Sequence, residues 1–595
     1  MKIRSVLIAN RGEIAVRIIR ACREVGVRAI AVHSEADAGA LWTRLADEAV
    51  DIGPSPARES YLDIDRLIAA ARGSGADAVH PGYGLLSESP EFAEAVGKAG
   101  LRFIGPSPRV IATMGDKVEA RKAAVAAGLP VLPGSDGTVE GFDDAIIHAR
   151  RIGWPIAVKA SFGGGGRGMR VAHGEEDLKA ALEQATREAS AAFGRGEIYL
   201  ERYLVRPRHI EVQVLGDGHG ALIHLGDRDC SLQRRHQKLI EEAPAPALSD
   251  GLRSRILDAA VTLSKNVGYE GAGTVEFLAD VAKDAFYFLE MNTRLQVEHG
   301  VTELVTGIDL VNAQIRVAGG EALGIAQTDV VTNGCAIQAR ISAEDPWEDF
   351  RPTPGRIDDL RLPGGPWLRL DFGVESGDGI PSFYDSMFGK VQAWGRTRDE
   401  ARVRLARALD DLVVAGPCTT APYLRDLLEQ PDFAAAVHDT GSVEREWLPR
   451  PADRPAPVAA TASSPGAAPA ASISERIVSA PWGGQLVDVA VYGVRTSRDA
   501  VTSSGSQVER RSAAGGAGGP AILAPMDSAV AHTPVEVGER VEKGAPVLVL
   551  EAMKMEVVLA APHDGVLEAL NVRVGDAVKS GAIVAVVRAY TTPGE

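Results

Sequence analysis

Glu551-Ala552-Met553-Lys554-Met555-Glu556 sets one lysine between two methionines, at the centre of a segment that repeats itself. Ala524-Pro525, Asp527, Gly538 and Gly544 recur 37 residues later as Ala561-Pro562, Asp564, Gly575 and Gly581, with Lys554 between the halves. Such symmetry reads as two intertwined β half-motifs. The lysine then falls on the tight turn where the halves meet, and its amine projects into solvent. A projecting amine can be acylated, although an ordinary exposed lysine would occupy the same turn.

A second set of reactive residues lies far upstream. Lys159 ends the strand-like run Ile156-Ala157-Val158 and precedes Gly163-Gly164-Gly165-Gly166. Backbone amides without side chains can approach phosphate oxygens closely, but no Walker A or GxGxxG pattern accompanies the loop. Alone, it could equally be a flexible connection. Glu276, Glu290 and Asn292 end apolar strand-like runs and offer the oxygen ligands that suit Mg²⁺; plain solvated strand ends are the bland alternative. Alternation along Asn292 to His299 as an extended strand sends Arg294, Gln296 and Glu298 to one face. An arginine fork and an amide can hold a small oxyanion such as bicarbonate, and Glu298 can accept its proton. Asp227 to Lys238 concentrates positive charge in twelve positions, as a surface loop would, or as a site for phosphate and carboxylate would.

These residues need several domains to position them. At 595 residues the chain exceeds the roughly 250 to 300 at which single cores stop growing. A formal charge of −16 excludes the basic surface that nucleic acid or anionic lipid requires, and no apolar run approaches the ~20 residues of a membrane span. The four scattered cysteines fit a reducing cytoplasm. Ser5 to Asn10, Glu13 to Val25 and Val27 to His33 predict a βαβ opening, and alternating segments extend a first α/β domain over 1–106. A second α/β region spans 107–325, with a mobile lid over about 132–203, and an α+β region follows over 326–448. Residues 449–472 are nearly all Pro, Ala, Ser, Thr and Arg, a linker that spans roughly 25 to 30 Å as a coil. Residues 473–520 form a partly ordered connector of unassigned role, and 521–590 a small β-rich domain.

Taken together, Ala9-Asn10-Arg11-Gly12-Glu13-Ile14-Ala15, His80-Pro81-Gly82-Tyr83-Gly84, the Lys159 glycine loop, Arg228 to Lys238 and Met291 to His299 resemble the biotin carboxylase family. The C-terminal repeat resembles a biotin carboxyl carrier domain, whose fold lipoyl domains share; the methionines beside Lys554 favour biotin. The layout is similar to the α subunit of an acyl-CoA carboxylase. This resemblance implies a multidomain α/β and α+β chain: a biotin carboxylase body with an ATP-grasp domain, a flexible linker and an all-β biotinyl domain, a flattened barrel or sandwich. It implies that Lys117, Lys159, Glu201, Leu204, His209, Gln233 and His236 bind ATP under the Gly163–Gly166 loop. Glu276, Glu290 and Asn292 would hold Mg²⁺ or Mn²⁺. Bicarbonate would bind Arg294, Gln296 and Val297, with Glu298 as base, and form carboxyphosphate. Tyr83 and Lys238 would lie near the biotin ring and bicarbonate, and Arg340 would stabilise the biotin enolate. Lys554 would carry the biotin.

Three positions depart from the family pattern. Gly300 stands where proline is usual, which predicts a looser turn; Gln338 replaces a glutamate two residues before Arg340, which bears on the orientation and local charge of Arg340; and Asp527-Ser528 replaces a usual carrier turn. The implied partners are a carboxyltransferase β subunit on another chain, a biotin protein ligase and a second copy of the carboxylase body within a larger hetero-oligomer. Acetyl-CoA or propionyl-CoA is the expected acceptor. Pyruvate or 3-methylcrotonyl-CoA would serve the same half-reaction, and a non-biotin ATP-grasp ligase with a lipoyl-like module is a rival of another class.

Overall fold

The computed structural model describes residues 2–135, 137–161, 169–193, 196–456, 473–482, 485–494, 521–526, 528–553, 555–579 and 581–589. The first sheet is parallel, in the spatial order Glu48–Asp51, Arg28–His33, Ser5–Ile8, Ala78–His80, Arg102–Phe103. Val6, Leu7 and Ile8 are fully buried, as a strand covered on both faces must be. The first strand stops at Ile8, so Asn10 is free to turn. Its amide donates to the carbonyls of Pro81 (2.7 Å) and Tyr83 (2.8 Å). Gly82 lies at φ +63°, where a Cβ would sit 2.8 Å from Asn10 Nδ2, so glycine alone fits the turn that presents Tyr83.

Met169–Ala172, Ile156–Ala160 and Ile198–Arg202 form a small antiparallel sheet under the helices Gly141–Ile152 and Glu175–Phe193. Ala145, Ala149, Val158, Leu178, Ala185 and Leu200 give this unit an apolar cluster of its own. The Gly163–Gly166 loop between its strands lies outside the described residues.

The largest sheet has eight antiparallel strands: Ala285–Asn292, Gly271–Asp280, Arg208–Gly216, Leu222–Arg234, Gln237–Ala243, Cys335–Ser342, Met387–Gly395 and Leu368–Phe372. Gln237–Ala243 pairs with Cys335–Ser342, so the sheet runs unbroken from the second region of the chain into the third. Alternation divides it into two faces. Ile210, Val212, Val214, Val275 and Phe277 pack under the helix Asp250–Val267, and Ile337, Ala339, Ile341, Val391 and Ala393 under Arg398–Asp411. Ser249 caps the first helix by accepting from Leu252 N, and Gly268 closes it in the left-handed conformation. Thr397 caps the second. The opposite face carries polar residues.

Pro451–Asp453 make a single 3-10 turn, and Arg454 pairs with Glu348 (3.1 Å) and with buried Asp345, so the first residues of the linker lie against the body. Residues 457–472 and 495–520 are outside the described residues, whereas Ile473–Trp482 and Gln485–Val494 form an antiparallel hairpin. The C-terminal segment forms two four-stranded antiparallel sheets, and each half of the sequence repeat contributes strands to both. Ser528 opens the strand Ser528–His532; Asp527 is outside the described residues. No described helix is long and apolar enough to cross a membrane.

Glu344, in a short strand paired with Arg351–Pro352, titrates unusually. Burial, reinforced by Asp385, pushes its carboxyl up to about 7 against a hydrogen bond from Ser386. A carboxyl whose folded-state value is raised holds its proton more tightly folded than unfolded, so stability falls as pH rises through that value. The stability advantage of Glu344→Gln over the parent protein should therefore grow by about 1–3 kcal/mol between pH 5.5 and pH 8.5, measured by denaturant midpoints at both pH values.

Candidate active site

The polar face of the large sheet gathers most of the residues singled out in the sequence. Glu276 lies in register between Glu211 and Glu290 on its two neighbouring strands. Asn292 Nδ2 donates to Glu276 Oε1 (2.8 Å), and His209 Nε2 lies 2.7 Å from Glu276 Oε2. Burial and the charge of Glu276 push the Glu290 carboxyl up, with Lys117 opposing. Carboxylates crowded in this way fit a divalent cation, which would relieve their repulsion.

Lys238 is the hub. Its Nζ donates to Glu211 (2.7 Å), Glu276 (3.0 Å) and Glu298 (2.7 Å). Glu298 is fully buried and also accepts from Arg340 Nη2 (3.0 Å), while Arg340 Nε donates to Glu241 (2.5 Å). Burial alone would raise the Glu298 carboxyl, but Lys238, Arg340 and Arg228 outweigh it and hold that carboxyl well below the usual range. Glu298 is therefore ionised and ready to accept a proton, with basicity restrained by its cations.

The stretch from Thr293 to Glu298 is not the extended strand that alternation predicted. The strand ends at Asn292, and the chain turns so that Glu298 becomes the N-cap of the helix His299–Thr306. The three side chains still converge. Arg294 donates to Gln296 Oε1 (3.0 Å), Asn292 Oδ1 (2.9 Å) and Glu88 Oε2 (2.8 Å). Gly300 lies inside that helix, and the turn is filled: a Cβ there would fall 2.0 Å from the buried Gln392 Oε1. The expected looseness is replaced by a side chain from the neighbouring sheet.

The nucleotide candidates adjoin Glu290 and Glu276: the charge of Glu290 acts on Lys117 and Lys159, and His209 contacts Glu276. Asp116 caps the helix Lys117–Ala126 and so fixes Lys117 at its first turn. Lys159 pairs with buried Glu201 (2.6 Å), and burial lowers the Lys117 ammonium while Lys159 adds repulsion. Lys117 is thus short of local negative charge and suits phosphate, whereas Glu201 holds Lys159 in its charged form. The Asp227–Lys238 run is not a surface loop: Asp227–Arg234 is buried strand, and only its turn, with Arg235 and His236 at positive φ, is exposed. Gln233 pairs in register with Lys238, and Leu204 is half-buried at the end of the small sheet. Val297 offers its carbonyl, which accepts from Lys390 (2.8 Å). Lys554 and Gly163–Gly166 lie outside the described residues; Met553, at φ +50°, donates its N–H to Ser382 O (3.1 Å) and is buried among residues of the body.

Family models match four stretches: Biotin carboxylase, N-terminal domain, over 2–111; Carbamoyl-phosphate synthase L chain, ATP binding domain, over 116–326; Biotin carboxylase C-terminal domain over 338–445; and Biotin-requiring enzyme over 520–587. Biotin carboxylase 1 of Bacillus subtilis is 49% identical over 442 residues, covering 74% of this chain and 98% of its own. The chain belongs to the biotin carboxylase family. A pyruvate carboxylase subunit of Methanothermobacter thermautotrophicus is 51% identical over 428 residues, covering 72% of this chain and 87% of its own. Among solved structures, the biotin carboxylase domain dimer of Hydrogenobacter thermophilus 2-oxoglutarate carboxylase, bound to MgADP and bicarbonate, is 44% identical, with a TM-score of 0.72 over 75% of this chain and 98% of its own. The chain is thus an ATP-dependent biotin carboxylase that also carries a biotin-requiring domain.

Several residues of this carboxylase site escaped sequence reasoning, namely Glu211, Glu241, Glu88 and Lys390, while Arg228 and Glu13 stood inside recognised motifs without a role of their own. Glu13 receives the Tyr83 hydroxyl and pairs with Lys390 (3.0 Å). Gly373 lets this happen, since a Cβ there would meet Glu13 N at 2.4 Å. One signal was available: His209, Glu211 and Gln213 alternate with Ile210, Val212 and Val214, a half-polar strand of period two. Lys238→Met would leave three buried carboxylates without their shared cation, at a cost of about 3–5 kcal/mol. A shift in the urea midpoint of under about 1 kcal/mol would mean that water already neutralises the cluster.

Proposed function

We propose that the chain carboxylates biotin held on Lys554, using ATP and bicarbonate, and passes the carboxyl group to a carboxyltransferase subunit that transfers it to an acyl-CoA, acetyl-CoA or propionyl-CoA. The observation that carries the reading is Glu298, a fully buried carboxylate held between Lys238 and Arg340 beside the Arg294–Gln296 pair. Bicarbonate placed against Arg294, Gln296 and Val297 would have its proton within reach of Glu298. A substrate anion that draws Lys238 or Arg340 toward itself would also release Glu298 from its cations and strengthen it as a base.

Glu276, Glu290 and Asn292 would hold Mg²⁺, and Lys117, Lys159, Glu201, Leu204, His209, Gln233 and His236 the nucleotide, under the Gly163–Gly166 loop. When bound, the metal supplies charge to the γ-phosphate oxygens and biotin supplies the nitrogen that accepts the carboxyl group. Arg340 would stabilise negative charge as it develops on the acceptor, a preorganised cation in a buried setting. Tyr83, fixed by Asn10 and Glu13, would wall the biotin position. Residues 1–106, 107–325, 326–448 and 521–590 are the units we assign to this chemistry, with 449–472 and 473–520 between them. A second copy of the body, a biotin protein ligase and a cytoplasmic setting belong to the same reading; the four cysteines, all unpaired, support the last. Pyruvate as acceptor is the second reading, favoured by the likeness to the Methanothermobacter pyruvate carboxylase chain.

Glu298→Gln should keep MgATP binding yet lose bicarbonate-dependent ADP release by a factor of at least about 10²; retained turnover would remove Glu298 from the role of base. Lys554→Ala should abolish labelling of the chain by radioactive bicarbonate while free biotin is still carboxylated at an unchanged rate. Loss of the free-biotin reaction in that variant would show that the lysine is more than a tether.

A further inference from the structure

Two glutamines face each other on the sixth and seventh of the eight strands of the large sheet. Gln338 and Gln392 are register partners on adjacent strands, and both are fully buried. Each gives its amide nitrogen to a carboxylate: Gln338 Nε2 to Glu241 Oε2 (3.1 Å) and Gln392 Nε2 to Asp371 Oδ2 (2.8 Å). The amide orientation is dictated by chemistry, since the flipped form would set oxygen against oxygen. Both Oε1 atoms are left without a hydrogen-bond partner. Two buried unpartnered oxygens cost free energy, which marks the pair as something other than packing.

The carboxylates they hold are the outer anchors of the site. Glu241 Oε1 receives Arg340 Nε, and Arg340 reaches Glu298 with Nη2. Asp371 pairs with Arg369 (2.9 Å) and lies 4.0 Å from Lys390, whose ammonium holds the Val297 carbonyl. Arg340 is a long side chain, partly exposed, with two anchors. If Glu298 takes a proton during the reaction, its grip on Arg340 weakens and Glu241 must hold the guanidinium. By donating to Glu241 Oε2, Gln338 favours the ionised carboxylate and so supports its charge-assisted bond to Arg340 against the upward push of burial.

We propose that Gln338, paired with Gln392, is a positioning residue for the carboxyl-transfer step: its amide fixes Glu241, and Glu241 fixes the Arg340 guanidinium. Gly300 is the permissive partner, because a Cβ there would fall 2.0 Å from Gln392 Oε1 and drive that amide from its place. The proposal rests on the assignment of Arg340 to carboxyl transfer, and the test separates the two.

The full-length chain is assayed with free biotin as acceptor and, separately, for bicarbonate-dependent ADP release without biotin, in Gln338→Met, Gln338→Glu and Arg340→Ala variants. Gln338→Met should carboxylate biotin about tenfold more slowly with ADP release and the KM for ATP unchanged. Gln338→Glu should recover the rate where its carboxyl is protonated and can donate, then lose it as pH rises through that titration, a limb absent from the parent profile. Arg340→Ala should abolish carboxylation. Parent-like carboxylation in Gln338→Met while Arg340→Ala is dead would overturn the positioning role; an equal fall in both assays would do so too, by making Gln338 merely structural. Parent-like carboxylation in Arg340→Ala would remove the assignment beneath it. Gly300→Ala supplies a second perturbation, expected to slow carboxylation in the same selective way.

Discussion

Buried charge must be paired, and this constraint organises the protein. Each of the eight strands of the large sheet contributes a charged or amide side chain to one face: Glu290, Glu276, Glu211, Arg228, Glu241, Arg340, Lys390 and Asp371 among them. In an apolar interior any one of these groups would cost several kcal/mol. They are tolerated because cations reach the carboxylates from neighbouring strands, with Lys238 shared by three of them. The apolar face of the same sheet holds the fold together through Ile210, Val275, Ile337 and Val391. One periodicity therefore builds the core and the site at once, and a slip of one residue in any strand would exchange the two.

This also explains which parts were legible beforehand. The Lys554 hexapeptide, the glycine loop at 163–166, and Glu290 and Asn292 at the end of their strand are unusual locally, so the sequence displays them directly; Glu276 does not end its strand as expected but lies inside Gly271–Asp280. Glu211, Glu241, Glu13 and Lys390 are ordinary charged residues until register places them beside a partner, which no local window can see. The Thr293–Glu298 stretch misled for a related reason. Leu295 and Val297 alternate with polar residues as in a strand, but Leu295 is buried as the chain turns and Glu298 opens a helix. Convergence of Arg294, Gln296 and Glu298 survived the wrong element because all three face the same carboxylate-rich pocket.

The departures from the family pattern are not independent. Gly300 and Gln338 are far apart in sequence, yet Gln392 touches the position of a missing side chain at one and is the register partner of the other. Glycine at 300 would ordinarily loosen a helix start, but the amide of Gln392 occupies the space and ties it to Asp371. What looked like two tolerated losses is a repacked polar layer beneath the bicarbonate candidates, in which Gln392 fills the space that glycine leaves.

The carrier poses the opposite demand. On the proposed function, Lys554 has to leave the site that charges it, which requires weak contact with the body. The described contact is small: one main-chain hydrogen bond from Met553 to Ser382 and one buried methionine. The bond is worth about 1 kcal/mol and the side chain about 1.5–3 kcal/mol. Two untethered partners could not associate stably on that sum, because association alone costs more in lost translational and rotational freedom. A tether changes the balance, since it replaces that cost with a local concentration set by its length. A hairpin tip that binds weakly and is held nearby can visit the buried charges often and stay briefly. A larger interface would hold that hairpin tip on the carboxylase body.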